Sequence, residues 1–103
     1  MRRIIEGKIY DTDKSEEIAT YSSHHYPNDF HYYEETLYRT AKGNFFLAGE
    51  GGAASKYSKP VHGGRGGGEG LEPMTPDEAR EWLELHGFTD ELEEHFPDHL
   101  EEA

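Results

Sequence analysis

The chain contains no cysteine. That excludes disulfide bridges and thiolate zinc sites, and it fits a reducing cytoplasm. Long apolar runs are also missing: in Met1-Arg2-Arg3-Ile4-Ile5-Glu6-Gly7 a charge and a glycine follow only two isoleucines. Neither a signal peptide nor a membrane span is expected from this pattern. Apolar residues are scarce, at 33% of 103 residues against a usual share of about 45–50%. One domain of this length can fold alone, on a thin core. Aromatics, at 13%, offset the scarcity because each buries a large area. The expected core is therefore built from Tyr, Phe and the single Trp82.

Basic residues are the most telling shortage. Residues 69–103 hold 13 acids and one base, Arg80, whereas residues 1–68 hold nine of each sign. The net charge of −12 is thus a property of the last third. A solubility adaptation would spread acid over the whole surface. A one-signed face repels nucleic acid and attracts basic protein surfaces, with a steering that salt weakens. The plainer alternative is a solvated helical face.

Ile4 to Tyr10 reads as a strand turning at Glu6-Gly7, or as two short strands. Asp11-Thr12-Asp13-Lys14 is a turn-like polar cluster, and Ser15 to Tyr21 fits either a short helix or a strand. Ser22 to Phe30 is expected as a loop, punctuated by Pro27, Asn28 and Asp29. His31 to Thr40, a turn over Ala41-Lys42-Gly43-Asn44, and Phe45-Phe46-Leu47-Ala48 predict a hairpin whose second strand is buried on both faces. Residues 49–70 hold nine of the twelve glycines and predict a long, partly mobile loop between sheet and helix.

The next element carries its own start and stop signals. Thr75 is placed as N-cap, Pro76 at the first helical position, and Glu78 closes a capping box. Ala79, Trp82, Leu83 and His86 then form one apolar stripe, and Gly87 ends the helix. Thr89 is expected to cap a second short helix running to Phe96, which Pro97 stops. The domain accordingly reads as a β-rich body (1–48), a glycine-rich loop (49–72) and an acidic helical end (73–103).

Chemical signatures are few. Gly68 is followed by Glu69-Gly70-Leu71-Glu72 rather than by the Lys and Ser/Thr of a phosphate-binding loop. Of seven histidines, only His95 and His99 have the i, i+4 spacing of a shared metal site, and Pro97 lies between them. Glu34 and Glu35 are adjacent, so on a strand they face opposite sides. Ser22, Ser23 and His24 are neighbours in sequence, which is not the geometry of a catalytic triad. No catalytic residue and no cofactor is therefore assigned. Seven tyrosines divide between core and surface, with Tyr26-Pro27 and Tyr32-Tyr33 as an amphipathic contact patch.

Several segments carry a likeness. They are Gly7-Lys8-Ile9-Tyr10-Asp11-Thr12, Glu35-Thr36-Leu37-Tyr38-Arg39-Thr40 with Gly43-Asn44-Phe45-Phe46-Leu47, Gly49-Glu50-Gly51-Gly52 with Ser55-Lys56-Tyr57, and Met74-Thr75-Pro76-Asp77-Glu78-Ala79 with Glu81-Trp82. Together they resemble a widespread family of small uncharacterised proteins carried by bacterial phages and other mobile elements. The likeness covers most of residues 3–87. The Gly63–Gly70 run and the end after Phe88 depart from it. The resemblance implies a context of host-defence inhibitors, including anti-CRISPR proteins that imitate the charge of DNA.

The expected fold is α+β: a small antiparallel sheet of three or four strands, a C-terminal helix packed on it through Leu37, Tyr38, Phe45 and Leu47, and a short terminal helix. The expected function is inhibition of a host effector, in the host cytoplasm, by binding its basic groove and not nucleic acid or membrane. Asp77, Glu81, Glu84, Glu91, Glu93 and Glu94 would present the acidic surface, with Tyr32, Tyr33 and the glycine loop adding shape. Alternatives are a homodimeric accessory protein of the mobile element and a metal-binding module using His95 and His99.

Overall fold

In the computed structural model, which describes residues 1–103, local chemistry accounts for most elements. Glu6 and Gly7, with φ of 50° and 78°, make the two-residue turn between β1 (Arg2–Ile5) and β2 (Lys8–Asp11). Turns of this hand match strand twist, which is why a glycine stands at the second position. A 3₁₀ turn over Thr12–Lys14 follows, with Asp11 accepting the Asp13 amide at 2.9 Å. The chain then enters β3 (Glu16–Ser22), so the ambiguous segment is a strand. The loop after it leads to β4 (Tyr33–Arg39), and Gly43 at φ 88° turns β4 into β5 (Phe45–Gly51).

The stretch expected as a glycine loop is instead largely strand. It contains a small hairpin of β6 (Lys59–Val61) and β7 (Gly64–Gly66), then β8 (Gly68–Met74), which pairs antiparallel with β5. The main sheet therefore has four strands in the order β3-β4-β5-β8. Glycine serves close approach here. Gly49 and Gly70 are paired in register, and the Tyr57 ring lies over both. A Cβ on Gly49 would collide with that ring. Low side-chain volume in these strands is thus the slot for an aromatic, a use that composition alone does not reveal.

Strand alternation divides the core in two. Leu37 pairs with Leu47, and with Ala19 and Phe45 they meet Ala79, Trp82, Leu83, Leu92 and Phe96 from the helices. Tyr38 pairs with Phe46 on the other face, under the N-terminal hairpin. There Tyr38 stacks on Phe46 at 5.1 Å and Tyr10 meets Phe46 edge-on at 5.4 Å. Tyr38 therefore does not face the helix as expected, because neighbours on a strand point apart. Phe45 and Phe46 serve opposite layers, which explains the apolar run buried on both faces.

Helix α1 (Pro76–Leu85) begins with the anticipated capping box: the Glu78 amide donates to Thr75 Oγ1 at 3.1 Å and the Thr75 amide to Glu78 Oε1 at 2.9 Å. It ends at Gly87, φ 74°, where the Phe88 amide reaches Leu83 O (2.9 Å) and the Gly87 amide reaches Glu84 O (3.2 Å). That pair of bonds is a Schellman motif. It fixes Phe88, which stacks on Trp82 at 5.5 Å and starts α2 (Thr89–His95) directly. Thr89 is consequently the first helical residue rather than the cap, and α2 has no side-chain cap. Pro97 opens a 3₁₀ turn after it.

Only fourteen residues are buried, and the radius of gyration is 15.0 Å, above the roughly 13 Å of a rounder domain this long. The molecule is a slab with a shortest extent of 19 Å. Its sheet edges are guarded. A register shift interrupts β3 between Glu17 and Ala19, and β8 carries Pro73 and two acids, Glu69 and Glu72. No helix is long and apolar enough to cross a membrane.

Replacing Gly49 with Ala is expected to destabilise the fold by about 1–3 kcal/mol through overpacking against Tyr57. Urea denaturation measures it, and the loss should shrink when Tyr57→Ala is added, as expected of two sites in contact.

Candidate functional site

Two surfaces of α1 matter, one packed inward and one exposed. On the inward side the sheet buries a carboxylate. Glu35 is 1% exposed on β4. Its Oε1 accepts the Trp82 indole N–H at 3.2 Å, and its Oε2 accepts the Tyr57 hydroxyl at 2.6 Å and the Lys56 ammonium. Burial pushes the Glu35 carboxyl up, but the bonds from Lys56, Tyr57 and Trp82 together outweigh it and hold it below the ordinary carboxylate value. Burial, with the bond to Glu35 adding to it, pushes the Tyr57 hydroxyl far up. Lys56 also lies 5.6 Å from the centroids of both the Tyr33 and Tyr57 rings.

Aromatics extend this cluster to the end of α1. Tyr33 lies 6.0 Å from Tyr21, which stacks on His86 at 3.8 Å, and His86 meets Trp82 edge-on at 4.9 Å. Burial raises the Tyr33 hydroxyl, with Tyr21 and Glu35 adding to it, and burial lowers the His86 imidazole. A group suited to proton transfer near neutral pH should titrate there. Glu35 and Tyr57 are moved away from neutrality in opposite directions. Their arrangement suits holding three segments together.

The exposed side of α1 carries Asp77, Glu81 and Glu84, at i, i+4 and i+7. Arg80 lies between them, 3.5 Å from Asp77 and 3.6 Å from Glu84, so two of the three acids share the one base of this region. Glu81 has no such partner. On α2, Glu93 and Glu94 are exposed and Glu91 is half-buried, with Glu94 3.6 Å from His95. Glu93 also lines a shallow groove of about 660 Å³ with Pro97, Leu100, Glu101 and Glu102. Glu69 and Glu72 belong to β8 rather than to the helical end, and Glu69 sits 3.8 Å from Arg3.

Tyr32 and Tyr33 part company. Tyr32 donates its hydroxyl to Glu34 at 3.0 Å and lines a cleft with Pro27, Glu50, Lys59 and Glu69, whereas Tyr33 joins the Glu35 cluster. Tyr26 and Phe30, on the loop between β3 and β4, are 82% and 71% exposed. His95 and His99 do not converge: His95 faces Glu94, and His99 meets the Phe96 ring at 6.0 Å. No group of three or more His, Asp or Glu side chains is arranged to hold a metal ion.

Sequence reasoning missed Leu85. It is 78% exposed, one turn beyond Glu81 on the acidic side of α1. The signal was present, since a merely solvated helical face would carry a polar residue there. A scan against family models and searches of curated proteins and solved structures return no match to this chain.

Removing the carboxylate with Glu35→Ala is expected to cost about 2–4 kcal/mol, because it strands the donors of Trp82 and Tyr57. Since the folded state holds Glu35 below its ordinary 4.5, its contribution is present above that pH and is lost as pH falls beneath it. His86 works at higher pH. Its lowered folded value disfavours protonation, so stability declines as pH drops below the ordinary 6.5. The His86→Phe variant keeps the stack and should flatten the stability profile between about pH 7 and pH 5, measured by denaturant titration at each pH.

Proposed function

We propose that this protein is an inhibitor of host defence of the phage or mobile-element kind, an anti-CRISPR protein that occupies the basic nucleic-acid groove of an effector complex. The observation that supports this reading is the concentration of charge in residues 69–103, where Arg80 is the only base beside thirteen acids and eight of those acids stand on α1 and α2. A groove built for phosphates presents Lys and Arg in a row, and a rigid ligand carrying carboxylates at helical spacing competes for it without being cut or unwound. The resemblance to mobile-element proteins supplies the biological setting.

The inward cluster gives the acidic face its rigidity. Trp82 anchors α1 to Glu35 on one side, while Asp77, Glu81 and Glu84 face out on the other. Preorganised side chains lose less entropy on binding. Leu85 adds an apolar contact beside the acids, the kind of central anchor that polar rims surround.

Charge reversal tests the reading. Glu81→Lys, Glu93→Lys and Glu94→Lys together change exposed positions, and cations at 93 and 94 suit the C-terminal end of α2, so folding is retained. Against a panel of purified CRISPR effector ribonucleoproteins, the native chain is expected to bind and block target cleavage in a salt-sensitive way. The triple variant is expected to lose both. Full inhibition by the triple variant would defeat the mimicry reading, and a salt-resistant homodimer with no effector binding would favour an accessory role.

A further inference from the structure

The opposite sign of charge collects elsewhere. A cleft of about 510 Å³ opens between the β1–β2 hairpin, the Thr12–Lys14 turn and the β4–β5 turn. Arg2, Lys8, Lys14 and Lys42 line it, four of the ten bases in the chain. None of the four lies within 4.0 Å of a carboxylate, and neither do Arg39, Lys59 and Arg65, whereas Arg3, Lys56 and Arg80 do. Four of the seven bases without a carboxylate partner thus gather around one cleft, in a chain where acids outnumber bases 22 to ten. Asp11 is the single acid in the lining, and its Oδ1 is engaged by the Asp13 amide.

The remaining lining is equally specific. In the β4–β5 turn the Thr40 and Gly43 amides are bonded within the turn, while the Ala41 and Lys42 amides have no backbone acceptor. Free amides beside lysines are what an anion's oxygens accept from. Ile9, 55% exposed, supplies an apolar wall next to Tyr10. The volume falls within the range of small-molecule sites, about 300–1,000 Å³. The field of a chain with net charge −12 repels anions at a distance, so a ligand here must be held by local contacts.

We propose that this cleft binds an organic phosphate of nucleotide size, its phosphates on Arg2, Lys8, Lys14 and Lys42 and its apolar ring against Ile9. The phosphate can come from a free nucleotide or from the backbone of a single strand, and the two sources are separable.

Amide chemical-shift titration of the full chain at low salt reads the site directly. Adenosine triphosphate and a short single-stranded oligothymidylate are the two organic-phosphate probes, with inorganic phosphate and adenosine beside them. The expected result is saturable movement of Lys8, Lys14 and the Thr40–Asn44 amides with one or both organic phosphates. The tighter of the two names the source. Adenosine should be without effect. Lys14→Glu with Lys42→Glu should weaken binding by at least about tenfold. Both side chains are exposed and unpaired, and circular dichroism checks that the variant is folded. Four results would overturn the proposal: no saturable shifts, shifts mapping elsewhere, binding indifferent to the double reversal, or equal affinity for inorganic phosphate. Salt-reversible self-association that occupies the same amides without any phosphate would also overturn it, assigning the cleft to the acidic end of a second copy.

Discussion

The Glu35 carboxylate joins three segments that are far apart in sequence. It sits on a central strand, its Oε1 holds Trp82 from the helix, and its Oε2 holds Tyr57 and Lys56 from the connection between β5 and β6. In a slab 19 Å thick with fourteen buried residues, apolar area alone gives little margin. A charged acceptor taking three donors defines where each donor must be, and an apolar residue in its place could not. The glycines at 49 and 70 follow from this geometry, since the Tyr57 ring can reach the carboxylate only by lying flat on strands that lack side chains there. The register of β8 against β5 is tied to the same ring.

Charge is sorted around this hub rather than mixed. The helices carry acid on the side away from Trp82, and the N-terminal hairpin with the β4–β5 turn carries unpaired bases around a cleft. The two layers of core make the sorting feasible. Leu37 and Leu47 commit one face of the sheet to the helices, while Tyr38 and Phe46 commit the other to the hairpin. Each charged surface thus has its own apolar support, and a substitution in one is not transmitted through the other by direct packing.

Elements whose cause is local were legible in the sequence. The capping box at Thr75 and Glu78, the Gly87 stop, the Gly43 turn and the doubly buried Phe45–Ala48 run each depend on a few neighbouring residues, and the α+β class with its small antiparallel sheet follows from them, though not β8 as the fourth strand. The errors lie where a distant partner decides. Gly49 and Gly70 make room for the Tyr57 ring, Gly52, Gly67 and Gly68 lie against neighbouring backbone, and composition shows only the glycine. Tyr38 was assigned to the helix face although its neighbour Leu37 already occupied that side. Thr89 has the chemistry of a cap, but the Schellman motif at Gly87 begins α2 one residue earlier. Glu35 could be placed opposite Glu34 from alternation. Its donors Trp82, Tyr57 and Lys56, 47, 22 and 21 residues away, could not be.

Pro73 and the β3 register shift bear on abundance as well as on shape. A four-stranded sheet with bare rims would recruit strands from its own copies once it accumulated. Here one rim lacks a donor at Pro73 and is flanked by Glu69 and Glu72, and the other is broken near Glu17. Closed rims remove that route to strand-on-strand association as the concentration of the chain rises.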